Sequence, residues 1–151
     1  MHKQRLAKKN KQLMKYAKYL GKQPGYEIRD GEIVTMTIDG VEVPVKTGSP
    51  VKTYSEPVEF KACISSTLNK LQAEAWGVSQ SNIYSQIVCE KEQIPLEIGD
   101  KVWLHKKVKM LPTLTTDPSS ADYTVVGYMN ESLYCDWFLL QRNDVSEDEN
   151  D

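Results

Sequence analysis

The sequence predicts a mainly β (α+β) protein: a small β-barrel-like domain with an N-terminal basic helix, one short internal helix and a long loop. Three observations carry that prediction. Short runs rich in β-branched and aromatic residues recur between turn-forming residues from Tyr26 to Leu140. Asp30-Gly31 and Asp39-Gly40 each separate two such runs, and Asp-Gly signals a hairpin because Gly accepts the positive φ of a type I′ turn. Gly99-Asp100 feeds the apolar run Val102-Trp103-Leu104, a pattern frequent where small barrels turn a corner.

The 151 residues suit one domain with a single core. A hydrophobic fraction of 40% and a charged fraction of 26% fit a soluble globular chain. No run approaches the roughly eighteen apolar residues a membrane span needs. The N-terminus is charged but lacks an apolar h-region, which argues against a secretory signal; Arg is too scarce for a typical transit peptide. Cys63, Cys89 and Cys135 are far apart and each lies in an apolar β-like run, so buried free thiols in a reducing compartment are expected.

Charge divides the chain into three parts. Residues 1–22 hold eight basic residues and no acid, residues 144–151 hold five acids and no base, and residues 23–143 form the barrel-like domain. A basic head and an acidic tail suggest contacts at opposite ends. Within residues 3–20, Leu6, Leu13, Ala17 and Leu20 recur at helical spacing with Met14 beside them, and Gly21 supplies a stop. Such a helix would either dock its stripe on a protein surface or act as a basic arm, with Lys8, Lys9, Lys11 and Lys15 as contacts to DNA or an acidic partner.

The two Asp-Gly turns imply a small meander over residues 26–46, with Pro44 at an edge. Residues 57–64 alternate as a half-buried strand, with Val58, Phe60, Ala62 and Ile64 on one face. Ser66 or Thr67 is placed to cap a helix through Leu68, Leu71, Gln72, Ala75 and Trp76, and Gly77 ends it. A strand then spans Ile83 to about Glu90. Residues 106–120 read as the long loop, rich in Pro, Thr and Ser, and a final strand pair flanks Asn130-Glu131-Ser132. The acidic tail reads as disordered.

Nothing in the chain reads as catalytic. Walker A, GxGxxG, HExxH and G-x-S-x-G patterns are absent, and no Cys/His spacing suits zinc. His2 and His105 have no sequence-linked nucleophile. Glu59, Glu90, Glu92, Glu97 and Asp100 read as a solvated face rather than a glycosidase pair. Trp76, Trp103 and Trp137 read as core. Tyr16, Tyr19, Tyr26 and Tyr54 could stack on bases or sit at a subunit contact. The expectation is a non-enzyme with no cofactor and no metal.

In sequence order the chain resembles the head–tail connector proteins of tailed bacteriophages with Gram-positive hosts, the head-closure (stopper) or minor capsid group. "KKNKQLMKYAKYLGKQPGYE" looks like the opening of such proteins. "GSPVKTYSEPVEFKACIS" resembles their Tyr-x-x-Pro-x-x-Phe strand. "AEAWGVSQSNIYSQIVCEKEQIPLEIGDKVW" resembles their central aromatic-Gly segment, and "SADYTVVGYMNESLYCDWFLLQR" their last hairpin. The likeness spans residues 8–142; the acidic tail has no counterpart in it.

The resemblance implies a homo-oligomeric ring, commonly of about twelve copies, with unlike surfaces meeting between neighbours. It implies a place at the virion neck, after assembly in the host cytoplasm. There the ring has the portal and adaptor above, tail proteins below and packaged double-stranded DNA in its channel. It implies no membrane and no catalysis. On that expectation Lys106, Lys107, Lys109, Pro112, Thr115 and Pro118 mark a loop reaching the channel or the next ring. Two other readings stay open: a nucleic-acid-binding OB- or SH3-like barrel with a basic arm, and a neighbouring tail-completion protein. Residues 23–143, with 11 basic against 16 acidic residues, favour the connector.

Overall fold

In a computed structural model that describes residues 11–80 and 82–143, the β-runs close on themselves. Six strands form an antiparallel barrel: β1 (Gln12–Ala17), β8 (Val58–Ser65), β9 (Tyr84–Glu90), β10 (Lys101–Trp103), β11 (Tyr123–Met129) and β12 (Cys135–Arg142). Around the wall the order is β1-β10-β11-β12-β9-β8 and back to β1. Period-2 alternation fills the interior: Met14 and Tyr16, Ile87 and Cys89, Val125, Phe138 and Leu140 all point inward. Ile94 and Leu96, from the segment joining β9 to β10, complete that core.

The N-terminal helix is corrected for the residues described. β1 and β2 (Tyr19–Gln23) occupy the stretch read as helical. The apolar residues there satisfy two periods at once: Met14 and Tyr16, two apart, face the barrel interior, while Ala17 is buried on the outer side under the strap. Without β1 the barrel would not close, so tertiary pairing overrides the helical spacing. The part of that reading over residues 1–10, and the disordered tail, lie outside the described residues.

The expected meander is a long arm. Between β1 and β8 the chain runs out along β2 and returns along β7 (Val51–Tyr54), with Lys22 opposite Lys52 and Gln23 opposite Val51. The ribbon continues through a Tyr26–Lys46 bridge, and the amides of Glu27 and Thr47 donate to Val45 and Gly25 carbonyls at 2.8 and 3.0 Å. It ends in two small hairpins, β3 (Ile28–Arg29) with β4 (Glu32–Ile33), and β5 (Thr35–Ile38) with β6 (Val41–Pro44). Both predicted Asp-Gly turns form, with φ of 53° and 78° at Asp30-Gly31 and 51° and 79° at Asp39-Gly40. Gly25 is required by contact: a Cβ there would lie 2.3 Å from the Ser49 carbonyl oxygen.

The helix α1 (Lys70–Trp76) forms as expected but with a different cap and face. Asn69, not Ser66 or Thr67, is the N-cap: its side chain accepts the Gln72 amide at 2.8 Å and its amide donates to the Gln72 side chain at 2.9 Å. Leu71 is 76% exposed, whereas Leu68 and Ala73 pack on Leu139 outside the barrel. Starting the helix at 70 rather than 67 turns Leu71 off the seam. Trp76 half-buries against Gly127, which has no Cβ to obstruct it, and its Nε1–H donates to Gln86 at 2.8 Å.

Residues 106–120 are more ordered than a plain loop. They form a strap over the outer wall, ending in a short 3-10 turn at Pro118–Ser120. One Asp122 carboxylate oxygen accepts the amides of Leu104, His105 and Lys106 at 2.7, 3.0 and 3.1 Å. Ser120 Oγ accepts from Trp103 Nε1 at 3.0 Å and from the Lys109 amide at 3.1 Å. Thr116 Oγ1 donates to the Ser55 carbonyl at 2.9 Å. Beneath the strap lie Ala17, Tyr54, Trp103 and Ala121.

Asp100, read in the sequence as part of a solvated face, is instead buried at 2% exposure and holds the point where the arm leaves the barrel. It accepts the amides of Tyr19 and Glu97 at 2.9 and 2.8 Å, and its Oδ2 lies 2.7 Å from Lys18 Nζ. Asp100→Ala leaves those donors without their acceptor in a buried site. It should lower stability by about 3 kcal/mol, read as a shifted urea midpoint with the slope unchanged.

All three cysteines are free, with Cys89 buried and Cys63 and Cys135 half-buried. Burial, helped by the charge of Asp136, pushes the Cys89 thiol up to about 12. Cys89 should therefore resist iodoacetamide at pH 8 in the folded chain and react once urea unfolds it, as mass spectrometry of the labelled peptide would report.

Candidate interaction surface

The strand registers place the arm at one rim of the barrel. The segment joining β9 to β10 and the β11–β12 turn share that rim. The opposite rim carries the start of β1, the end of β12, α1 and the beginning of the strap. Lys11 and Asn143, where the basic head and acidic tail join the described chain, therefore lie at the same rim. β1 runs away from that rim and β12 returns to it; the charged contacts expected of the head and tail themselves lie outside the described residues.

The tip of the arm is amphipathic. β5 and β6 pair Met36 with Val43 and Ile38 with Val41, which puts all four side chains on one face. Thr35 with Pro44 and Thr37 with Glu42 form the other. The four apolar side chains are 36–62% exposed, and none joins a core cluster. A two-stranded ribbon is marginal by itself, so an uncovered apolar face on one is the feature of this molecule most in need of a partner. Residues 26–45 are acidic, with Glu27, Asp30, Glu32, Asp39 and Glu42 against Arg29.

A cleft of about 410 Å³ opens between β1 and the strap, lined by Leu13, Met14, Lys15, Trp103, Leu104, Lys106, Lys107 and Val108. β10 pairs only with Lys15, Tyr16 and Ala17 of β1, so Gln12, Leu13 and Met14 are laddered on the β8 side alone. Asp122 causes that divergence, because it gathers the amides of residues 104–106 away from β1. Among the described residues no carboxylate lies within ion-pair distance of Lys15, Lys106 or Lys107.

The residues singled out in the sequence divide accordingly. Lys8 and Lys9 lie outside the described residues. Lys11 pairs with Glu90 at 3.7 Å and is largely covered, while Lys15 is exposed in the cleft. Lys106 and Lys107 join Lys15 there, and Lys109 is exposed nearby. Pro112, Thr115 and Pro118 are half-buried in the strap, whose exposed tip is Leu114. Tyr16 and Tyr54 are buried, Tyr16 against Phe60 with ring centres 5.5 Å apart and Tyr54 against Tyr19 at 5.6 Å, so neither is placed to stack on a base. Trp103 is core as expected, and Trp76 and Trp137 are half-buried. His105 is exposed.

Among the described residues no group of three or more His, Cys, Asp or Glu could hold a metal ion, and no helix is long and apolar enough to cross a membrane. No family model matches the chain, and neither the curated proteins nor the solved structures give a match.

Electrostatics tighten the arm's root. Burial pulls the Lys18 ammonium pKa down, but its hydrogen bonds and attraction to Asp100 and Glu97 outweigh that and leave it above 10.5. Hydrogen bonding to Lys18, then its charge, holds the Glu97 carboxyl below 4.5. Burial, and Lys52 nearby, hold Lys101 below 10.5, and its Nζ donates to Thr124 Oγ1 at 2.7 Å. A lowered carboxyl pKa favours the fold above its unfolded value and loses that contribution as pH falls through the folded value. The raised Lys18 pKa contributes fully below 10.5 and is lost as pH rises through the folded value. Glu97→Gln should thus lower the Tm slightly at neutral pH, with the gap to wild type closing in calorimetric scans as pH falls through the lowered value of the Glu97 carboxyl.

Proposed function

We propose that this chain is a structural virion protein of a tailed phage. In this reading it forms a ring at the head–tail interface, closes the DNA-filled head below the portal and adaptor, and offers the tail a docking surface. The observation that carries the reading is the arm: a small closed barrel extends an amphipathic ribbon whose apolar face has no cover among the described residues. Such a part gains its stability in an assembly. The order of connector-like motifs over residues 8–142 supplies the place of that assembly. The chemistry a connector needs is attachment rather than turnover, and the buried carboxylates of Asp100 and Asp136 are engaged in accepting backbone amides.

Among the described residues the cleft lysines favour a nucleic-acid-binding module, as the basic residues 1–10 do in the sequence. Three ammonium groups would attract phosphate, yet the arm and barrel around them carry more acids than bases. A module of that kind binds DNA tightly and salt-sensitively as a single copy, whereas a connector subunit binds weakly until its ring forms.

Electron microscopy of particles carrying a tagged copy tests the proposal. The label should form a ring between portal and tail, and counting it gives the copy number. Labelled particles with a bare neck would remove the connector reading.

A further inference from the structure

We propose that the acidic arm of one copy docks in the basic cleft of the next, making a head-to-tail contact between unlike surfaces. The proposal rests on the self-assembly part of the reading above and not on a place in a virion.

Three observations converge on it. The arm tip presents Met36, Ile38, Val41 and Val43 as one apolar face, and the cleft presents Leu13, Leu104 and Val108 as apolar lining. Their charges are opposite: five acids against one base over residues 26–45, and, in the cleft, Lys15, Lys106 and Lys107 without ion-pair partners among the described residues. The cleft is also bounded by the half of β1 that is laddered on one side only, an edge that can receive an added strand. The arm is a ribbon with strand edges to offer.

The geometry sets the symmetry. Arm root and cleft lie toward opposite rims of the barrel, so the contact joins different surfaces and repeats from copy to copy. Two other segments of the chain could compete for the cleft. Residues 1–10 are basic and would be repelled by its lysines. Residues 144–151 are acidic but offer only Val145 to an apolar lining. The arm alone matches both charge and hydrophobicity.

Charge reversal on full-length protein, read by sedimentation velocity, tests the contact. The arm variant is Glu32→Lys with Glu42→Lys and the cleft variant is Lys106→Glu with Lys107→Glu, all at exposed positions, with folding verified by circular dichroism. Wild type should assemble at low salt, and each variant should weaken assembly tenfold or more. Salt near 1 M should narrow that gap. Mixing the two variants should restore assembly with the two alternating, because each arm then meets a cleft of opposite charge. Combining all four changes in one chain should restore assembly.

If wild type assembles and both variants assemble equally well, the contact is wrong while self-assembly stands. A wild type that stays monomeric at about 100 µM overturns the contact and self-assembly together. If the arm variant behaves as wild type while removing residues 144–151 abolishes assembly, the cleft belongs to the acidic tail and the arm contact is overturned.

Discussion

Asp100 is the constraint on which the architecture depends. At its position the chain must do two incompatible things: close β1 against β10, and release the next residue into an arm that leaves the barrel. A ladder cannot satisfy the amides at such a fork, and buried donors without partners are costly. Asp100 supplies acceptors for the Tyr19 and Glu97 amides and a counter-charge for Lys18. Lys18 in turn donates to the Pro95 carbonyl and to Glu97 at 2.9 Å, which draws the β9–β10 segment onto the arm's root. Fold and arm are thus fixed by one carboxylate.

The same device recurs wherever strands end without a continuing ladder. Asp122 gathers three consecutive amides where β10 turns into the strap. Asp136, almost fully buried, accepts the Glu92 amide at 2.9 Å, and its other oxygen faces Lys91 Nζ at 3.4 Å. These aspartates do architectural work that the sequence does not reveal, because an Asp that accepts buried backbone amides and one on a solvated face look alike in sequence. Cross-links of this kind let a strand as short as β10 hold its place in a closed wall.

What the sequence revealed follows from how local each signal is. Asp30-Gly31 and Asp39-Gly40 were legible because turn chemistry is set by two residues, and β8, β9, β11 and β12 because one face of each meets the core. The barrel class followed from those. β1 was misread because Leu13, Ala17 and Leu20 fit a helix while Met14 and Tyr16 fit a strand, and only the partners β8 and β10, at least forty residues away, decide between them. The cleft was invisible for a similar reason. Lys15 and Lys106 meet only after Asp122 bends the chain, so nothing in their spacing links them.

The arm's composition answers a problem that its shape creates. Identical ribbons with an apolar face and open edges invite pairing with one another, which would give uncontrolled aggregates rather than a defined assembly. Five carboxylates along residues 26–45 make arm-to-arm approach repulsive while leaving Met36, Ile38, Val41 and Val43 exposed. A surface that repels its own kind but retains an apolar face is selective for a basic apolar counterpart. With the cleft toward the opposite rim, the proposed contact also disfavours a symmetric dimer through either surface alone. Under the proposed contact the charge pattern and the topology would impose the same order on neighbouring copies, each giving its arm to one and its cleft to another.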